Sequence, residues 1–310
     1  MGDLALFGHD LFGDPVQPAQ APLASRFTFP PFSVLDGRSG DWQDRKAGWI
    51  SLGIESELGR GADLWTGDGA QERLNRLMGH STAFKTGTSV FDPVVCELAY
   101  RWFSPPGGQV VDPFAGGSVR GIVASLLGRN YWGCDLSGDQ VAANRGQADR
   151  ICREMMPRWV CGDSTTEVAA SAPPADLIFS CPPYGDLERY SDDPRDLSAM
   201  DYREFIEGYR SIISGCFDRL RNDRFACFVV GEFRDKRGNY RGFVADTIAA
   251  FQECGFHYYN EGILLTPTGT LPVRAGKQFG AGRKLGKAHQ NILVFLKGNA
   301  RAATAAAGEL

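Results

Sequence analysis

Gln109-Val110-Val111-Asp112-Pro113-Phe114-Ala115-Gly116-Gly117-Ser118 is the stretch whose reading decides the fold. Two β-branched apolar residues closing on a carboxylate read as a short buried strand. The next residues are small, and an apolar helical run follows from Val119 to Leu127. A strand that turns through glycines straight into a helix is the first half of a βαβ unit. The same alternation continues downstream. Strands are predicted at Tyr131–Asp135, Trp159–Asp163, Asp176–Ser180 and Phe225–Val230, with helices through Ile151, over Tyr202–Leu220 and over Phe243–Cys254. Phe256–Leu265 and Asn291–Leu296 read as the last two strands. Upstream, Val94, Val95, Leu98, Ala99 and Trp102 share one helical face, and Pro105-Pro106-Gly107-Gly108 ends that helix. The expectation is an α/β fold, with a mostly parallel seven-stranded sheet and helices on both faces.

Ligands of such sheets bind outside the carboxyl ends of the strands. Asp112, Asp135, Asp163 and Cys181 close the first four strands and are therefore expected to face one crevice. Small residues at Ala115, Gly116, Gly117 and Ser118 let backbone approach a ligand, and the following helix offers free N–H groups. Asp135, at the end of the second strand and followed by Leu136, is placed to accept hydrogen bonds from two ribose hydroxyls. A nicotinamide dinucleotide would suit the same geometry, but the G-x-G-x-x-G fingerprint is absent. Asp163-Ser164 ends the third strand, within reach of a nucleobase.

Composition narrows the classes. The chain has 310 residues, 43% hydrophobic, with a net charge of −4, enough for one large core plus a modest appendage. Its eight cysteines show no C-x-x-C pair and read as reduced thiols of a cytoplasmic protein. The four histidines are scattered, so no metal site is expected. No run of 18 apolar residues and no leader pattern is seen, so no membrane partner is expected. Residues 1–25 read as a disordered tail, 26–85 as an N-terminal extension, 86–298 as the main domain, and 299–310 as a second tail.

The strand-one loop and the step Cys181-Pro182-Pro183-Tyr184 together resemble the S-adenosylmethionine-dependent DNA amino-methyltransferases. That family carries a D-P-F-x-G-x-G-type loop and a Pro-Pro-aromatic step, here with Cys181 in place of the usual Asp, Asn or Ser. The resemblance covers about residues 86–298. It implies a Rossmann-like class I methyltransferase fold, S-adenosylmethionine as cofactor, and Phe114 to Ser118 around its methionine part. Thr86-Gly87-Thr88-Ser89-Val90-Phe91-Asp92-Pro93 resembles the family's cofactor-carboxylate motif, which implies roles for Thr88, Phe91 and Asp92. Asp92 with Pro93 also fits an ordinary helix N-terminus.

The resemblance further implies that a base flipped from double-stranded DNA stacks on Tyr184. Its exocyclic amine would donate to the residue at 181 and to the Pro182 carbonyl. A Pro-Pro step lacks N–H donors, so its carbonyls are free to accept. No strong base is needed, because the proton is lost after transfer. Three readings of Cys181 stay open: a substitute for Ser beside an orienting carbonyl, a nucleophile of C5-cytosine methylation, or part of a site that binds without catalysis. Adenine and cytosine both remain open, as does an RNA base, since guanine-N2 methyltransferases share the Pro-Pro-aromatic element.

Residues 266–288 hold Arg274, Lys277, Arg283, Lys284 and Lys287, five glycines and no acid, and fit a flexible arm that neutralises phosphates. The block from Arg26 to Arg60 resembles N-terminal segments of phage-type DNA methylases, where its Trp and basic residues would either enter a groove or pack on the domain. Asp3-Leu4-Ala5-Leu6-Phe7 loosely resembles the bacterial sliding-clamp-binding pentapeptide, with a contact expected through Leu4 to Phe7.

Overall fold

A computed structural model describes residues 23–55, 91–185, 190–269 and 271–310. The chain separates into two units, residues 1–32 with Leu310, and Ser33–Glu309. In the first, helix α1 (Leu23–Phe27) places the Arg26 guanidinium 4.9 Å from the centre of the Phe27 ring.

The second unit is built on one eight-stranded sheet, in the order β1-β7-β8-β6-β5-β2-β3-β4. Its strands are β1 (Val34–Asp36), β2 (Gln109–Asp112), β3 (Asn130–Asp135), β4 (Arg158–Cys161), β5 (Ala175–Ser180), β6 (Leu220–Val230), β7 (His257–Leu265) and β8 (His289–Lys297). Only β8 runs against its neighbours, pairing antiparallel with both β6 and β7. The chain order reverses between β2 and β5, which makes the crevice there the natural ligand site of a doubly wound sheet. The fold is the Rossmann-like α/β arrangement. It has one strand more than the expected seven, because Val34–Asp36 adds in parallel to β7. A three-residue strand with one buried side chain is too short for its alternation to stand out in a sequence.

Helices cover both faces. These are α2 (Gly40–Ile50), α3 (Pro93–Phe103), α4 (Val119–Leu126), α5 (Gly138–Ile151), α6 (Ser164–Ser171), α7 (Tyr202–Arg219), α8 (Phe243–Glu253), α9 (Leu271–Gly282) and α10 (Ala300–Ala307). The alternation of β5 shows the two layers. Ile178 joins the core with Phe205, Tyr209 and Ile212 of α7, while its neighbour Phe179 turns to Tyr100 of α3, ring centres 5.3 Å apart. Asp92, Ser137, Asp163 and Asp201 cap α3, α5, α6 and α7 through their side chains, and Asp201 with Glu204 completes a capping box.

The aromatic and basic residues of α2 pack on the domain. Trp42 Nε1 and Lys46 Nζ donate to Asp92, and Arg45 and Trp49 donate to the buried Glu97 of α3. Ala303 and Ala307 of α10 are buried, so the segment expected as a second tail is a helix against the sheet unit. No helix among the described residues is long and apolar enough to cross a membrane, and no group of potential metal ligands forms there.

Candidate active site

A cleft of about 370 Å³ opens at the carboxyl ends of β2 to β5, within the range usual for small-molecule sites. Pro113, Phe114 and Gly116 line it from the first loop, Asp135 and Leu136 from the second, Asp163 and Ser164 from the third, and Pro182 and Pro183 from the fourth. Of the four strand ends expected to face one crevice, Asp135 and Asp163 line it, while Asp112 and Cys181 do not.

Asp112 is the correction. It does not face the crevice: it is fully buried beneath the loop and satisfied by protein donors. Arg120 Nε donates to it at 2.5 Å, Tyr131 at 2.7 Å, and Ser180 Oγ and the Phe114 N–H complete the shell. Arg120, on α4, was missed by sequence reasoning, although a lone cation in an apolar helical run was a visible signal. It also donates to the carbonyls of Phe114 and Ala115. Burial alone would lower its affinity for a proton, but the Asp112 charge more than offsets this and the group ends above its ordinary value. The Asp112–Arg120 pair therefore fixes the loop from below.

Gly116 is fixed from both sides. Its φ is +48°, its N–H donates to Asp135 at 2.8 Å, and Asn144 of α5 donates to its carbonyl at 2.7 Å. Asp135 also accepts the Ser137 N–H, and each oxygen keeps a lone pair for a ligand. Burial raises its pKa above the usual carboxylate value, and the Ser137 and Gly116 amides only partly oppose this. Ser164 donates to the Pro113 carbonyl at 2.6 Å, and Asp163 caps its helix through the Thr165 N–H. Ala115 and Ser118 are buried and, like Gly117, lie outside the cleft lining. The Ser118 hydroxyl, at the N-terminus of α4, has no hydrogen-bond partner among the described residues. Asp92 serves α3 and α2, and Phe91 lies under Arg120, 4.7 Å from guanidinium to ring centre. Thr88 lies outside the described residues, as do Leu4 to Phe7.

Cys181 leaves β5 half-exposed and is not part of the cleft lining, whereas both prolines are. No main-chain or side-chain hydrogen bond among the described residues ends on the Pro182 carbonyl. Tyr184, also outside that lining, turns toward the β6–β8 side. Gln290 donates to its hydroxyl at 2.8 Å, and its ring lies 6.3 Å from Phe233 and 6.4 Å from Phe243. Across the cleft stand Tyr190, Asp193, Arg195 and Leu197. Arg195 binds Asp193 through two nitrogens and holds its carboxyl down at about 2.

The basic insertion is a helix, α9, with no buried residue, where a flexible arm was expected. Arg274, Lys277 and Arg283 are exposed, with Val273 and Phe279 beside them. Lys284 lies against Gly238, and Lys287 is drawn in toward Gly231.

Neither a family model nor a curated protein sequence matches the chain. Solved structures do. TrmN from Thermus thermophilus is 17% identical, with a TM-score of 0.43 over 66% of this chain and 48% of that one. A TehB-like SAM-dependent methyltransferase from Corynebacterium glutamicum is 17% identical, with a TM-score of 0.41 over 73% of this chain and 97% of that one. A candidate DNA modification methylase, also from Thermus thermophilus and complexed with S-adenosyl-L-methionine, is 23% identical, with a TM-score of 0.34 over 44% of this chain and 54% of that one. The chain thus spans about half the length of the first and third. None of these likenesses is close enough to carry a function, which rests on the residues of the cleft.

Proposed function

We propose that the protein is an S-adenosylmethionine-dependent DNA methyltransferase acting on the exocyclic amino group of a flipped cytosine or adenine. The observation that carries this reading is the Pro182–Pro183 step, with its unengaged carbonyl, lining the same cleft as Asp135. One wall thus offers acceptors for an amine, and the other a carboxylate for a ribose.

The residues present fit the cofactor. Asp135 would take the ribose hydroxyls, Leu136 and Asp163 would border the adenine, and Phe114 with Gly116 would border the methionine part. The unpartnered Ser118 hydroxyl beside a helix N-terminus suits a nearby polar group. When bound, the cofactor supplies an electrophilic methyl group. The chain's part is orientation: Tyr184 bears the base on its face, and the Pro182 carbonyl accepts from the amine and fixes its direction. Cys181 precedes Pro182, whereas the C5-cytosine methyltransferases place their cysteine after a proline, which favours the orienting role over attack on a pyrimidine ring. The exposed cations of α9 would meet backbone phosphate.

The test is incubation of the full chain with unmethylated double-stranded DNA and methyl-labelled cofactor, followed by nucleoside mass spectrometry. N4-methylcytosine or N6-methyladenine is expected. 5-Methylcytosine, or label in RNA alone, would overturn the reading. Calorimetry with NAD in parallel should show no binding.

A further inference from the structure

Lys287 stands apart from the other cations of the insertion. It lies two residues before β8, whose start pairs with the end of β6, Val230 opposite Asn291. Its stem is therefore brought to the carboxyl edge of the sheet beside Gly231. A methyl group built on Gly231 would sit 3.5 Å from the Tyr184 hydroxyl and 3.7 Å from Lys287 Cε. Gly231 thus separates the edge of the Tyr184 ring from the Lys287 stem, and a recess for a base on Tyr184 would be bordered by both. Gln290 closes the end at the Tyr184 hydroxyl.

Lys287 is half-buried and makes no hydrogen bond or ion pair with the described residues. Its neighbour Glu232 is already engaged, accepting the N–H groups of Gly242 and Val244 at the start of α8. Burial holds the ammonium below its ordinary pKa, and the Glu232 charge only partly offsets this. Taking a cation out of water without a partner costs free energy that a phosphate-binding lysine on an open surface would not incur. A donor held at this wall is suited to an acceptor delivered into the recess.

The acceptor's chemistry follows from what stacks on Tyr184. A base with its amine at the Cys181–Pro182 step presents another edge to Lys287. Adenine accepts only through ring nitrogens, and along the edge that carries its amine it presents C2–H where cytosine presents its carbonyl. Cytosine carries one carbonyl besides its amine, and lysine is a good donor to base carbonyls. We propose that Lys287 is the specificity-determining residue of the target-base recess, donating to the cytosine carbonyl and so selecting cytosine over adenine. This rests on the methyltransferase reading above, and Gly231 keeps the recess open.

The experiment uses the full chain, unmethylated double-stranded DNA and labelled S-adenosylmethionine. The wild type should yield N4-methylcytosine. Lys287→Met should lower kcat/KM for cytosine about ten- to hundredfold, with cofactor affinity by calorimetry unchanged and Lys287→Arg restoring part of the loss. The φ of Gly231 is compatible with a side chain and its added methyl makes only ordinary contacts, so Gly231→Ala should fold normally and still impair turnover. N6-methyladenine as product would overturn the inference and leave the methyltransferase reading standing. So would a Lys287→Met variant that keeps its turnover but shows a salt slope in DNA binding shallower by about one unit, the mark of a phosphate-binding lysine. No cofactor binding and no methylated nucleoside would sink both.

Discussion

At the residue scale, Tyr184 and Asp135 make the sharpest predictions. Stacking of a base on an aromatic ring contributes about 1–3 kcal/mol. Tyr184→Ala should therefore lower kcat/KM for DNA about ten- to hundredfold at unchanged cofactor affinity, measured by steady-state kinetics and calorimetry. Tyr184→Phe loses the hydroxyl's bonds to Gln290 and Cys181 but keeps the ring, and should stay within a few-fold. Asp135→Ala should weaken cofactor binding by about 1.5–3 kcal/mol, the magnitude of hydrogen bonds to a charged group. The Asp135 pKa is raised by burial. The folded state therefore holds this proton more tightly than the unfolded chain, and Asp135's contribution to stability falls as pH rises through the window above its usual value. Cofactor affinity has the opposite sign, since the ribose needs the carboxylate. Titration calorimetry across mildly acidic pH should show affinity falling as pH drops. Cys181→Ser should retain turnover within about tenfold, given the small contribution of a weak acceptor. A covalent adduct between the wild type and 5-fluorocytosine DNA, lost in that variant, would make Cys181 the nucleophile.

At the element scale, two buried charged groups join helices and loops. Arg120→Met would leave Asp112 buried without its cation. Breaking such a pair costs about 3–5 kcal/mol, to be read from urea unfolding, and the loop from Pro113 to Ser118 should lose hydrogen-exchange protection in the same variant. Glu97 holds α2 on α3 by accepting from Arg45, Trp49 and Arg101. Burial pushes its pKa up, but these donors together bring it below the ordinary value. Its stabilisation is therefore present above the usual carboxylate value and lost as pH falls through the lower folded one. Because the two arginines are largely exposed, Glu97→Gln should cost only about 1–2 kcal/mol, with exchange protection lost mainly in α2.

At the scale of the whole molecule, an acidic chain presents basic residues on one exposed helix. A net charge of −4 says nothing against DNA when Arg274, Lys277 and Arg283 stand together on or just after α9. Replacing all three with Ala should reduce the slope of log K against log salt by about 0.9 for each phosphate no longer neutralised, with base choice unaffected. The elements themselves were legible. The strands from Gln109 to Ser180 and the helices at Tyr202 and Phe243 match their sequence boundaries within a residue or two. Their apolar periodicity and turn residues are local signals. The helices α2, α6, α9 and α10 were not legible as helices. α9 has no buried face to generate a period, and α6 and α10 are only eight residues long.

The sequence by itself determined the alternation of strands and helices, the sheet end where the cleft opens, and the Pro-Pro-Tyr step at the close of β5. These depend on neighbours in the chain. Only the tertiary structure decided which acidic strand end faces the cleft. Asp112 and Asp135 each close one of two adjacent strands, but Asp112 lies opposite Gly133, two residues short of Asp135, and Arg120, Tyr131 and Ser180 take it into the core while Asp135 lines the cleft. Only the antiparallel return of β8 brought Lys287 and Gln290 beside Tyr184, more than a hundred residues away. No local pattern encodes such a meeting, because the partners are chosen by packing across the sheet.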